Sequence, residues 1–155
     1  MLREKRFLPK NALDARAKEL IAQKIKALLS SHQNIVFAYI FGSFVYEKLF
    51  RDIDMAFFIR TKPSFKLESD LSFALSDAAG YDVEMKALNN APLSFQMKVL
   101  KEGKLLFSRD EKERTDFIER ISYRYREFTH FRNLFLEIAG KQDALAPEFQ
   151  QDRQG

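Results

Sequence analysis

Ile35-Val36-Phe37-Ala38-Tyr39-Ile40-Phe41-Gly42-Ser43, an eight-residue spacer, and Asp52-Ile53-Asp54 form the stretch that decides the fold. Its first seven residues are an almost unbroken apolar run, the pattern of a strand buried on both faces. Gly42 ends that strand and Ser43 begins a turn. Side chains two apart on a strand share a face, so Asp52 and Asp54 are expected to project side by side. Two neighbouring carboxylates repel unless something positive lies between them. A divalent cation is the usual occupant, and hard oxygen ligands suit Mg²⁺. The Gly-Ser turn offers backbone N–H groups and a hydroxyl for the phosphates such a cation carries. Metal and phosphate together point to phosphoryl or nucleotidyl chemistry. The pair Asp52 and Asp54 alone also fits a solvated strand entrance; the preceding strand, the turn and the spacer favour the metal reading.

Outside this stretch the numbers bound the answer. A chain of 155 residues is expected to form one domain. No apolar run reaches the roughly 18 residues of a membrane span, and Met1-Leu2-Arg3-Glu4-Lys5-Arg6 lacks the apolar stretch of a secretory signal. Cysteine is absent, which excludes disulfides and thiolate metal sites and fits a cytoplasmic protein. The net charge of +4 suits a polyanionic partner such as ATP or RNA, but acids and bases are interspersed. No RNA-recognition motif accompanies the charge, so direct nucleic-acid binding stays open.

Periodicity supplies the remaining elements. Asn11 or Asp14 is read as the cap of a first helix running to about Ser31, with Leu13, Ala17, Leu20, Ile21, Ile25, Leu28 and Leu29 on one face. Residues 43–50 allow about two helical turns, and 52–59 a second strand. A helix over about 65–78 stops near Gly80, and Tyr81 to Leu88 alternates as a third strand. Pro92 opens a helix over 93–102, Gly103 ends it, and Lys104-Leu105-Leu106-Phe107 is a short strand. The longest helix spans about 110–139; Phe117, Ile118, Ile121, Tyr125, Phe128, Phe131, Leu134, Phe135 and Ile138 lie on its apolar stripe, with five arginines on its polar side: Arg114, Arg120, Arg124, Arg126 and Arg132. The expected architecture is a small α/β (α+β) domain over residues 1–140, a mixed sheet flanked by helices, followed by a polar tail over 141–155 that is expected to be disordered. His32 and His130 read as surface or cap residues, which leaves no histidine-based mechanism.

Val36 to Phe44 together with Arg51-Asp52-Ile53-Asp54-Met55-Ala56-Phe57-Phe58 resemble the nucleotidyltransferase superfamily that includes DNA polymerase β, and more closely its minimal bacterial and archaeal members. Leu88 to Pro92 and Val99 to Phe107 resemble the later segment of that family, and the similarity covers about residues 20–140. The resemblance implies the polymerase β-like fold. It implies that Asp52 and Asp54 hold Mg²⁺ and that a third carboxylate on the neighbouring strand joins them around a second ion. Glu84 stands where the family usually carries Asp, with Asp82 as the alternative on the same face. Gly42 and Ser43 are implied to meet the triphosphate of ATP. The spacer from Phe44 to Arg51 is shorter than usual and lacks the glycine often found there.

The same resemblance implies a function: Mg²⁺-dependent transfer of a nucleotide monophosphate, AMP from ATP, to an acceptor hydroxyl. Minimal members typically work with a small helical HEPN-domain protein, and some act as antitoxins that place AMP on a tyrosine of a HEPN ribonuclease. The alternative is a non-catalytic module that neutralises such a partner by contact. The long apolar helix is compatible with a homodimer or with a partner complex.

Overall fold

The computed structural model describes residues 10–145. The Ile35–Phe41 strand (β2) is buried along its whole length, as the apolar run requires. It is the hub of a four-stranded sheet in the order β5-β4-β2-β6, where β4 is Ile53–Ile59, β5 is Val83–Ala87 and β6 is Lys104–Ser108. β2 pairs antiparallel with both neighbours, and β4 pairs parallel with β5. The sheet is therefore mixed, as expected. A second sheet was not expected: Asn11–Ala12 (β1) pairs antiparallel with Leu49–Phe50 (β3).

Helices cover both faces. Ala15–Ser30 (α1) and Phe65–Ala79 (α3) pack on one face, where Ile21, Ile25, Leu29, Leu71 and Leu75 meet Ile40, Met55, Phe57 and Met85. Leu93–Glu102 (α4) and the start of Glu111–Leu145 (α5) cover the other, where Val99, Phe117 and Ile121 meet Val36, Phe37, Tyr39 and Ala56. Burying apolar side chains such as these stabilises by about 1.5–3 kcal/mol each. The caps follow the sequence. Asp14, not Asn11, caps α1 by accepting from the Ala17 amide at 2.7 Å, while Asn11 is taken up by β1. Ser64 caps α3 in the same manner at 3.1 Å.

The spacer after Ser43 is not two helical turns. It forms one turn, Ser43–Tyr46 (α2), and then β3. Two aromatic anchors explain why so short a segment keeps one path. Phe44 and Phe50 are 4% and 1% exposed and pack edge to face with ring centroids 5.0 Å apart. Lys18 of α1 holds the segment from above, its Nζ donating to the Phe44 and Glu47 carbonyls at 2.8 Å each. These carbonyls end a one-turn helix and have no partner within it.

α3 also secures the sheet edge. An edge strand presents unpaired backbone groups, and on β5 the Val83 and Met85 amides donate to the Ser76 and Ser72 hydroxyls at 2.8 and 2.9 Å. α5 is longer than its periodicity indicated, running through Gly140 to Leu145. Residues 146–155 of the expected tail lie outside the described residues. Among the described residues, no helix is long and apolar enough to cross a membrane.

Candidate active site

Register brings the signature residues together. Phe41, the last residue of β2, lies opposite Asp54 of β4, so Gly42 follows directly beside that carboxylate. Gly42 has φ +82° and ψ −158°, a conformation that essentially only glycine adopts. A Cβ at this position would stand 2.7 Å from Asp54 Oδ2. The glycine thus both makes the turn and leaves room for the carboxylate.

Asp52 and Asp54 flank Ile53, which is fully buried, and both are half-buried. They line one cleft of about 220 Å³ with Ser43, Glu47, Leu49, Phe50, Arg51 and Lys10. Asp52, Asp54 and Ser43 are therefore gathered as the sequence led us to expect. Alternation along β4 sets Asp54 on the same face as Ala56, which packs toward α4 and α5.

The third carboxylate is arranged differently. Glu84 sits in register with Asp54 across the parallel β4–β5 pair, and in-register neighbours share a face. Its Oε1 lies 3.8 Å from Lys86 Nζ. Asp82 precedes β5, and its carbonyl accepts from the Ile53 amide at 2.8 Å. Among the described residues, no group of three His, Cys, Asp or Glu side chains is close enough to hold a metal ion. Asp52, Asp54 and Ser43 alone present two carboxylates and a hydroxyl, a hard-oxygen set that fits Mg²⁺ and leaves positions open for phosphate oxygens.

Two cationic contributions were not anticipated. Lys10 and Arg51 line the cleft beside the carboxylates. Arg51 adjoins Asp52 in sequence and was legible by proximity. Lys10 was not, because only the β1–β3 pairing carries the N-terminal segment to this place.

Residues 23–112 match the family described as Polymerase beta, Nucleotidyltransferase. The chain belongs to that family. Similar folds occur in solved toxin–antitoxin structures. One is the tri-AMPylated HEPN toxin of Shewanella oneidensis in complex with MNT antitoxin, with TM-score 0.64 and 22% identity over 77% of this chain and 96% of that one. Another is the MntA–HepT toxin–antitoxin, with TM-score 0.63 and 22% identity over 77% and 96%. A third is a toxin–antitoxin with AMP-PNP, with TM-score 0.65 and 23% identity over 75% and 95%. No curated protein matches the chain. As a polymerase β-type nucleotidyltransferase, the protein keeps Ser43, Asp52 just before β4 and Asp54 within β4 around one cleft.

Proposed function

We propose that this nucleotidyltransferase moves AMP from ATP to an acceptor hydroxyl, a tyrosine of a HEPN-domain partner, and so acts as an antitoxin. The observation that carries the reading is the convergence of Asp52, Asp54 and Ser43 on one cleft, with Asp54 seated against Gly42. Support for the partner comes from a similar fold found in a complex whose HEPN toxin is tri-AMPylated.

In this reading Asp52 and Asp54 would hold Mg²⁺, and Glu84, with Asp82 as the alternative, would be the third carboxylate for a second ion. When bound, the metal neutralises phosphate charge and acts as a Lewis acid on the reacting phosphoryl group. Gly42 and Ser43 bind the β- and γ-phosphates through backbone N–H and hydroxyl. Lys10 and Arg51 add positive charge at the cleft wall. The acceptor oxygen attacks the α-phosphorus in line, forming the new P–O bond as the bond to pyrophosphate breaks. The proton of the acceptor hydroxyl passes to a carboxylate of the site or to water.

A second reading is neutralisation by contact without transfer. It is favoured by two observations, the Glu84–Lys86 ion pair and the lack of a three-carboxylate group among the described residues. Incubation with α-³²P-ATP, Mg²⁺ and the protein encoded by the adjacent reading frame separates the two. Label on the partner that disappears with the Asp52→Ala/Asp54→Ala variant establishes transfer. Inhibition of the partner without label, retained by that variant, establishes contact neutralisation.

A further inference from the structure

α5 outruns the domain it closes. Phe117 and Ile121, each 1% exposed, are its last wholly buried residues up to Lys141. At 1.5 Å per residue the helix then continues for roughly 36 Å to Leu145. On this extension Phe128, Phe131, Phe135 and Ile138 are 54%, 71%, 62% and 50% exposed. Their 3-4-3 spacing is that of alternating a and d positions in a heptad repeat. In the same heptad Ile121 takes the a position before Phe128 and Phe117 the d position before that, while exposed Arg124 at the intervening d position separates the stripe from the core.

We propose that this stripe is closed by the same segment of a second copy, running antiparallel. The 3-4-3 spacing reads the same in both directions, so the surface is complementary to itself about a two-fold axis. Phe128 then faces Ile138 of the second copy, and Phe131 faces Phe135 of the second copy, giving four layers without a gap. The flanking positions agree in charge: Glu127 meets Lys141 of the second copy, twice by symmetry, and Leu134 meets Leu134 at the axis. Arg132 meets its own counterpart, the single like-charge pair at the interface.

Orientation follows from the domain. At Phe117 and Ile121 the same heptad positions are covered by the protein's own sheet and α4. A parallel pair would drive two domains into one space, whereas the antiparallel pair sets them at opposite ends. Aromatic side chains bury on the order of 150–250 Å² each. Three exposed phenylalanines with Leu134 and Ile138 therefore bring the paired segments to roughly 1,000 Å², the lower bound of a specific interface.

Sedimentation velocity of the full chain over a concentration series tests this without ATP or partner, so it stands or falls separately from the transfer reaction. The wild type is expected to shift from monomer to dimer. Phe131→Asp is expected to stay monomeric with an unchanged circular-dichroism melt measured at low concentration. Arg132→Ala is expected to tighten the dimer roughly threefold. Glu127→Lys and Lys141→Glu each weaken it about fivefold, and the double variant restores it. A wild type that remains monomeric at about 100 μM overturns the proposal, as does a Phe131→Asp dimer. Failure of the double variant to restore affinity overturns the antiparallel register. If Phe131→Asp instead abolishes assembly with the HEPN partner while the wild type alone is monomeric, the stripe belongs to that partner and the second copy is refuted.

Discussion

Gly42 and Asp54 constrain one another: the turn needs a residue that tolerates φ +82°, and the carboxylate needs the space a Cβ would take. Gly42→Ala is therefore expected to cost about 1–3 kcal/mol of stability and also to displace Asp54. Urea unfolding reads the first effect and single-turnover label transfer the second. Asp54→Asn keeps the shape and removes the charge that would hold the cation. Transfer should fall at least about 100-fold, because several kcal/mol of charge stabilisation go with it, while the fold stays intact by circular dichroism. Lys10→Ala should raise the KM for ATP several-fold and leave kcat nearly unchanged, since a group that only grips the phosphates contributes uniform binding. The gathering of Ser43, Asp52 and Asp54 in one cleft was legible because it depends on short-range spacing. Lys10 was hidden, because its position depends on a strand pairing about 40 residues away in sequence.

The elements around the site are held by contacts of two kinds. Phe50, 1% exposed, anchors the end of the spacer just before Asp52. Phe50→Ala should cost about 3–5 kcal/mol, read as a lowered denaturation midpoint, with transfer impaired at temperatures where the fold survives. Ser76 accepts from the Val83 amide, so Ser76→Ala leaves an edge-strand donor unsatisfied and should cost about 1–3 kcal/mol. Hydrogen exchange should show the Val83 amide losing protection ahead of β2. The main strands and helices follow apolar periodicity and caps closely: α4 begins and ends where Pro92 and Gly103 indicated. A Cβ on Gly103 would strike the Val99 carbonyl oxygen, which is why that stop is a glycine. β1 and β3 escaped detection because two residues carry no period. The one-turn α2 was overestimated because its length is set by Phe44, Phe50 and Lys18, not by local propensity.

At the scale of the molecule, α5 is one helix with two environments. Phe117 lies in the core, within 5.2 Å of Phe58 and 5.6 Å of Phe37 between ring centroids, so Phe117→Ala should cost about 3–5 kcal/mol. Phe131→Ala should change the melt of dilute protein by less than about 0.5 kcal/mol, since an exposed side chain loses little on truncation. Parallel thermal melts of the two variants check the contrast. Arg114 ties the helix start to the sheet, its Nη1 donating to Tyr39 Oη at 2.9 Å, and Lys101 of α4 lies 5.1 Å from the Tyr125 ring. By itself the sequence determined the α/β class, the order of the five helices and the four main strands, and the close placing of Asp52 and Asp54, because each depends on periodicity or on neighbours a few residues away. The tertiary structure alone decided the mixed strand order, the docking of Gly42 against Asp54, the register that sets Glu84 beside Asp54 and the arrival of Lys10. These depend on which strands pair and in what register, contacts between residues distant along the chain that no local pattern encodes.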